Sequence, residues 1–205
     1  MSDTEQTVYI VEDDEAVRDS LSLLLQSEGL PVSAYDRGSR FLADWRPDMT
    51  GCVVLDIRMP EMDGMELQEA LVERGSDLPI IFVTGHGDLP LAVEAMRKGA
   101  VDFIEKPYHE EQLLEKIRGA LSENAEHRQV REEKQVTLER LGELTPREKE
   151  IMDRMIAGQA NKVIAIELNI SQRTVEIHRS RVMHKMGTHS LAQLVRMVLS
   201  VQDEA

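Results

Sequence analysis

The sequence predicts an α/β chain: a doubly wound, five-stranded parallel sheet, then a helical linker, then a small all-α unit of four helices with helix-turn-helix form. Three observations carry this. Strand-like and helix-like segments alternate five times over the first 121 residues, as a parallel sheet with crossover helices requires. The strand candidates are continuous apolar runs, which suits a sheet covered on both faces. Beyond Leu144 only helix starts and stops remain.

Val8 to Val11 is the first strand. Val17, Leu21, Leu24 and Leu25 then recur at helical spacing, and Gly29 with Pro31 ends that helix. Val32 to Tyr35 reads as a second strand, Arg40 to Trp45 as a short helix, and Cys52 to Asp56 as a fully buried third strand. Residues 65–74 are helical, 80–83 form the fourth strand, 89–98 a helix, 101–104 the fifth strand and 110–121 the last helix.

Residues 122–140 change character. Ser122 to Gln135 offers only Ala125 and Val130 as aliphatic residues and contains neither Pro nor Gly. Such a stretch predicts a solvated helical extension or linker in which few residues pack. Thr145-Pro146-Arg147-Glu148 supplies an N-cap, a proline at the first helical position and an acid in the first turn. That helix stops at Gly158. A short one follows over 162–168, a longer one, capped by Ser171, over 172–185, and a last one over about 190–201. The expected division is a first domain over 1–121, a linker over 122–140 and a second domain over 141–205.

Composition narrows the class. Hydrophobic residues make up 41% of the 205 but aromatics only 3%, so Leu, Ile, Val and Met must fill the cores. No apolar run is long enough to span a membrane, and the polar, acidic Met1 to Thr7 is wrong for a secretory signal. A single cysteine, Cys52 in an apolar run, excludes a disulfide scaffold within one chain and reads as an inert core residue. A reducing cytoplasm is the expected location. Net charge is −14, yet residues 1–121 hold 11 Lys and Arg against 25 Asp and Glu, whereas 161–196 hold 6 basic residues against 2 acidic. An acidic first half and a locally basic end imply a division of labour.

Polar residues at the strand ends name a chemistry. The first strand runs into Glu12-Asp13-Asp14, the third into Asp56, the fourth into Thr84 and the fifth into Glu105-Lys106-Pro107. Ligands bind in the crevice beyond the carboxyl ends of such strands. Aspartate is a feasible phosphoryl acceptor because its carboxylate is a nucleophile. The incoming charge calls for a divalent cation, and Mg²⁺ takes one or two carboxylates plus phosphate oxygens. Glu12 and Asp13 supply that site beside Asp56, Thr84 offers a hydroxyl to a phosphoryl oxygen, and Lys106 a fixed positive partner. Singly, each residue has a plainer account as a turn or loop residue; the convergence of all four positions is what selects the chemistry. Asp14 fits the N-cap of the first helix better than a ligand role, and His86, between two glycines, fits an exposed loop.

These residues resemble the receiver domain of two-component response regulators. The match covers residues 6–121 through Val-Glu-Asp-Asp at 11–14, Leu-Asp-Ile-Arg-Met-Pro-Glu-Met-Asp-Gly at 55–64, Val-Thr-Gly-His-Gly-Asp at 83–88 and Gly-Ala-Val-Asp-Phe-Ile-Glu-Lys-Pro-Tyr at 99–108. The resemblance implies that Asp56 is phosphorylated. It implies that Glu12, Asp13, the Asp56 carboxylate and the Arg58 carbonyl hold Mg²⁺. Thr84 becomes the switch hydroxyl, Phe103 the switch aromatic and Lys106 the phosphoryl partner before a cis Pro107. The first acid is Glu12 where Asp is commoner, a change that keeps the charge. One rival is a haloacid-dehalogenase-like phosphatase, which needs a second Asp two residues past its nucleophile; Arg58 stands there.

In the second domain, Val175, Val182 and Met186 give the longer helix a buried face, and Arg173, Glu176, Ser180 and Arg181 fall largely opposite, where a major groove is read. Lys162, Arg173, Arg179, Arg181 and Lys185 are placed to neutralise phosphates, and Thr174 to donate a hydroxyl. The plain alternative is a four-helix packing unit with solvated charges. The segment 144–199 resembles the LuxR/NarL-type DNA-binding domain, through Leu-Thr-Pro-Arg-Glu at 144–148, Gly158, Asn-Lys-Val-Ile-Ala at 161–165, Ile-Ser at 170–171, Thr-Val-Glu-Ile-His at 174–178 and Lys-Met-Gly at 185–187. Glu176, Ile177 and Ser180 are then the base-reading candidates, since Glu accepts from a cytosine amino group and Ile meets a thymine methyl.

Receiver, linker and effector in this order and at this length resemble the FixJ-type nitrogen-fixation regulators and, equally, related regulators of aromatic degradation. The two resemblances imply a cytoplasmic DNA-binding transcription factor, not an enzyme, switched by a sensor histidine kinase and binding double-stranded promoter DNA as a homodimer when phosphorylated, with no membrane partner. The face expected to dimerise offers Val93 as an apolar contact and Arg97 and Asp102 as opposite charges for a two-fold pairing. A module that dimerises without DNA is a second rival, and it leaves the pattern from Lys162 to Lys185 unexplained.

Overall fold

The computed structural model describes residues 6–85 and 89–202. His86 lies outside the described residues. The chain divides into two compact units between His127 and Arg128.

Five strands, β1 (Thr7–Val11), β2 (Val32–Tyr35), β3 (Gly51–Asp56), β4 (Ile80–Thr84) and β5 (Asp102–Glu105), form one sheet in the order β2-β1-β3-β4-β5. Every neighbouring pair is parallel. Five helices follow the strands in turn: α1 (Glu15–Ser27), α2 (Gly38–Asp44), α3 (Gly64–Glu73), α4 (Leu89–Arg97) and α5 (Glu110–Gly142). Because side chains alternate across a strand, each strand feeds two cores. Tyr9, Val11, Val53, Leu55 and Phe82 pack on one side with Phe41, Leu67 and Leu71. Val8, Ile10, Cys52, Val54, Ile81 and Val83 pack on the other with Leu21, Leu25, Leu113 and Ile117. Both faces are covered, which is why the strands read as unbroken apolar runs. Burial pushes the Cys52 thiol up to about 12, so it stays protonated and inert.

The register levels the strand ends. Val11 pairs with Leu55, Asp56 with Val83, and Thr84 with Glu105. The residues just past β1 and at the ends of β3, β4 and β5 therefore meet along one edge of the sheet.

The helical extension expected after residue 121 is present in α5. The helix expected over 110–121 and the linker after it are one helix of 33 residues. Beyond Leu121 its buried residues are polar ones: Asn124 and Thr137 are buried, whereas Ala125 and Val130 are exposed. Asn124 Oδ1 accepts from the Gly51 amide at 3.1 Å and its Nδ2 donates to the Asp77 carbonyl at 3.0 Å. The first compact unit accordingly runs past Leu121.

In the second unit, α6 (Pro146–Ile156), α7 (Asn161–Glu167), α8 (Gln172–Lys185) and α9 (Leu191–Leu199) surround a core that includes Ile151, Met155, Ile164, Val175, Val182, Met186, Leu194 and Val198. Thr145 closes a capping box with Glu148 at the start of α6, and the Ser171 hydroxyl accepts from the Thr174 amide at the start of α8. The turn between α7 and α8 passes through Asn169 at φ 51°, a left-handed conformation that asparagine tolerates.

Candidate functional site

Asp14 is spent on the fold: its Oδ1 accepts from the Ala16 and Val17 amides at 2.9 and 3.1 Å, capping α1. That leaves Glu12 and Asp13 for the crevice. Arg18, one turn into α1, donates from Nη1 to the carbonyls of Glu12 at 2.9 Å and Asp13 at 3.2 Å and so pins the main chain of both acids. Its position gave no sequence signal, because an arginine on an amphipathic helix reads as a solvated charge.

Asp56, at the end of β3, has a side chain only 12% exposed, and Glu12 is buried to 3%. Lys106 joins them: Nζ donates to Glu12 Oε2 at 2.8 Å and to Asp56 Oδ2 at 3.1 Å. The other Asp56 oxygen accepts from the Arg58 amide at 3.2 Å. The Lys106–Pro107 peptide is cis. Gly64 allows the close approach of α3 behind the acid, since a Cβ there would stand 2.4 Å from the Asp56 carbonyl oxygen. This is a steric reason for the Asp-Gly at 63–64.

Carboxylate oxygens of Glu12, Asp13 and Asp56 all lie within 4.8 Å of one another. Burial raises the Glu12 carboxyl above its usual range, the Lys106 ammonium opposes this, and the Asp56 charge adds to it. Burial alone would lower Lys106, but Glu12 and Asp56 together outweigh it and hold the ammonium above its ordinary value. Three carboxylates facing one ammonium leave a surplus of negative charge. An all-oxygen donor set of this kind suits Mg²⁺ rather than a thiophilic or imidazole-seeking metal.

Thr84, buried at the end of β4, donates its hydroxyl to the Ile104 carbonyl at 3.4 Å. Phe103 is half-buried against the core that holds Phe82. Tyr108, beside Pro107, has its phenol raised by burial.

On the face expected to dimerise, Val93 is 47% exposed, and Arg97 is exposed, with a charge that acts on Glu94. Asp102 is not open in the same way. It forms an ion pair with Lys116 of α5, and its Oδ1 accepts from the Phe103 amide at 2.8 Å. An Arg97–Asp102 pairing between chains has to draw Asp102 away from Lys116.

In the second unit Arg173, Glu176, Ile177, Ser180 and Arg181 are all exposed on α8, spaced to share one side of the helix, and Lys162 is exposed on α7. The side chains of Lys162, Arg173, Glu176 and Arg181 take no partner among the described residues. Two expected phosphate contacts are otherwise engaged. The Thr174 hydroxyl shares a hydrogen bond of 2.8 Å with the Ser171 hydroxyl in the cap of α8. Lys185 Nζ donates to Glu148 Oε2 at 2.7 Å and to the Glu143 carbonyl at 3.0 Å, so its charge is spent inside the unit. The spacing that put Lys185 on α8 could not reveal an acid 37 residues earlier.

Residues 8–118 match the family model for the response regulator receiver domain, and residues 142–198 the model for bacterial regulatory proteins of the luxR family. The chain is 42% identical to the response regulator protein TodT of Pseudomonas putida over 203 residues, covering 99% of this chain and 89% of the relative. It is 44% identical to the transcriptional regulatory protein FixJ of Bradyrhizobium diazoefficiens over 197 residues, covering 96% of each. Among solved structures, the response regulator StyR aligns with TM-score 0.89 at 44% identity over 96% of this chain and 99% of that one. Full-length FixJ from B. japonicum aligns with TM-score 0.60 at 43% identity over 97% and 98%.

Proposed function

The chain belongs to the response regulators, as a transcriptional regulator that joins a receiver domain to a LuxR-type DNA-binding domain, and from that premise we propose that Asp56 is the phosphoryl acceptor that switches it. The observation that carries the reading is the Lys106 ammonium seated between Glu12 and Asp56, with Asp13 beside them.

The donor is a phosphohistidine of a sensor histidine kinase. An Asp56 oxygen attacks phosphorus, and an O–P bond forms as the donor N–P bond breaks, its electron pair returning to the imidazole. Glu12, Asp13, Asp56 and the Arg58 carbonyl would hold Mg²⁺, which would supply positive charge to offset that of the phosphoryl oxygens. Lys106 stays charged and pairs with the phosphorylated product. The Arg58 amide holds Asp56 Oδ1 and the Lys106 ammonium holds Oδ2, so the carboxylate is oriented before the phosphoryl group arrives.

Thr84 is the relay. A phosphoryl group brings nearly two negative charges, which outcompete the long 3.4 Å bond to the Ile104 carbonyl for its hydroxyl. Thr84 turns to the phosphoryl oxygens, and Phe103 turns inward behind it. The altered surface is that of α4 and β5, where Val93, Arg97 and Asp102 form a two-fold interface between copies. The dimer places two helix-turn-helix units on two half-sites of promoter DNA. Lys162, Arg173 and Arg181 contact phosphates; Glu176, Ile177 and Ser180 face base edges. The domains of this reading are 1–121, 122–140 and 141–205.

Intact-mass spectrometry tests the acceptor. The wild-type chain with acetyl phosphate and Mg²⁺ gains the mass of one phosphoryl group, and Asp56→Asn gains none. A phosphorylated Asp56→Asn variant moves the site elsewhere. For the DNA face, Lys162→Ala weakens binding evenly across sequences and flattens the salt dependence by about one unit, while Glu176→Ala or Ser180→Ala changes the selected sequence.

A further inference from the structure

A helix leaves its last carbonyls without intrahelical donors. At the end of α8, Gly187 N–H returns to the His184 carbonyl and Thr188 N–H to the Met183 carbonyl, both at 3.0 Å, the paired bonds of a Schellman turn. The carbonyl of the C-cap residue, Met186, takes a hydrogen bond from Arg140 Nη1 at 2.9 Å. Arg140 belongs to the last turn of α5. The favour is returned: Lys185, in the last turn of α8, donates to the Glu143 carbonyl just past the end of α5. Each helix thus lends a cation to the carbonyl end of the other, where the helix dipole favours positive charge.

Gly187 is the seat of this arrangement. A Cβ on it would stand 2.7 Å from Arg140 Nη1 and 2.9 Å from Cζ, and its φ of 63° is left-handed. The guanidinium therefore occupies the space that any other residue would fill. Gly187 serves the turn through its backbone and Arg140 through its missing side chain.

We propose that Arg140 is a positioning residue for DNA recognition: seated on Gly187, it fixes the carboxyl end of α8, so that the last turn of α5 is part of the DNA-binding machinery. The inference rests on the reading of α8 as the helix that meets DNA. Arg140 itself touches no DNA in this account. It removes fraying that α8 would otherwise have to lose on binding.

The test uses the full-length chain and a duplex selected from a random library by the wild-type protein, read by fluorescence anisotropy at several salt concentrations. Arg140→Met binds about tenfold more weakly, equivalent to ~1.4 kcal/mol, with an unchanged salt slope, and Arg140→Lys recovers most of the loss. Amide exchange over 184–190 is faster in Arg140→Met. Gly187→Ala loses the seat and adds backbone strain, so Arg140→Met/Gly187→Ala binds no worse than Gly187→Ala alone. Unchanged affinity in Arg140→Met, full additivity of the two substitutions, or a salt slope flattened by about one unit each overturns the proposal, the last by making Arg140 a phosphate contact. Should Arg140→Met lose helix content, the Arg140→Lys variant and the pairing with Gly187→Ala still decide it. Failure of the underlying reading has its own signature: Arg173→Ala and Glu176→Ala then leave binding of the duplex untouched.

Discussion

Lys185 and Glu148 separate a scaffold role from a DNA contact. Glu148 sits in the first turn of α6 with its side chain 4% exposed, and Lys185 reaches it from the last turn of α8. The Lys185 ammonium, followed by the Thr145 amide, draws the Glu148 carboxyl from the usual 4.5 to about 2. Taken at face value that shift corresponds to roughly 3 kcal/mol. Lys185 is 31% exposed, so water and salt screen the pair, and the expected contribution is about 1–2 kcal/mol. Since the folded carboxyl lies below the unfolded one, this stabilisation is complete above pH ~4.5 and is lost as pH falls towards 2.

Glu148→Gln removes the charge yet keeps a side chain able to close the capping box on the Thr145 amide. It is expected to cost about 1–2 kcal/mol near neutral pH and progressively less between pH 4.5 and 2. Lys185→Met costs more, about 2–3 kcal/mol, because it leaves a buried carboxylate unpaired. The double variant recovers part of that difference. Trp45, the single tryptophan, lies in the first compact unit. Urea unfolding followed by both tryptophan fluorescence and far-ultraviolet circular dichroism therefore distinguishes which unit is destabilised. The same Lys185→Met chain leaves the salt slope of DNA binding unchanged where Lys162→Ala flattens it. A Lys185→Met variant of wild-type stability with a flattened salt slope refutes the assignment and returns Lys185 to the DNA backbone.

Three further outcomes follow from the first unit. Lys106→Met removes the cation that competes for Glu12 and Asp56, so Mg²⁺ binding by calorimetry tightens several-fold, about 1 kcal/mol, while transfer to Asp56 slows; weaker Mg²⁺ binding contradicts the cradle. Asn124→Ala strips partners from the Gly51 amide and the Asp77 carbonyl and destabilises the first unit by about 1–3 kcal/mol; a neutral effect by tryptophan fluorescence means that water replaces both bonds. Arg97→Asp leaves phosphorylation of Asp56 intact but blocks dimerisation in analytical ultracentrifugation, and Asp102→Arg added to it restores dimers only in part, because Lys116 then faces a like charge. A phosphorylated Arg97→Asp chain that still dimerises moves the interface to another face.

The strands, their order of appearance and the acids at their ends were legible because a sheet buried on both sides writes itself as unbroken apolar runs, and a polar residue closing such a run stands out. The cap residues Asp14, Thr145 and Ser171 were legible for a local reason: a cap acts within three residues of itself. What escaped the sequence was every polar group whose partner is far along the chain. Arg18 reads as a solvated helix charge until its carbonyl partners are seen, and Lys185 reads as a phosphate contact until Glu148 is beside it. Asn124 is the clearest case. In a stretch judged by its aliphatic residues, Ala125 and Val130 are exposed and the amide next to them is buried. Hydrophobic periodicity measures transfer of apolar surface from water and is blind to a buried amide whose two hydrogen bonds cancel its desolvation. Along α5, Asn124 is the last buried residue within the first unit. Asn124 is therefore tied to β3 and to the segment before β4 from a stretch whose aliphatic pattern gives no sign of it.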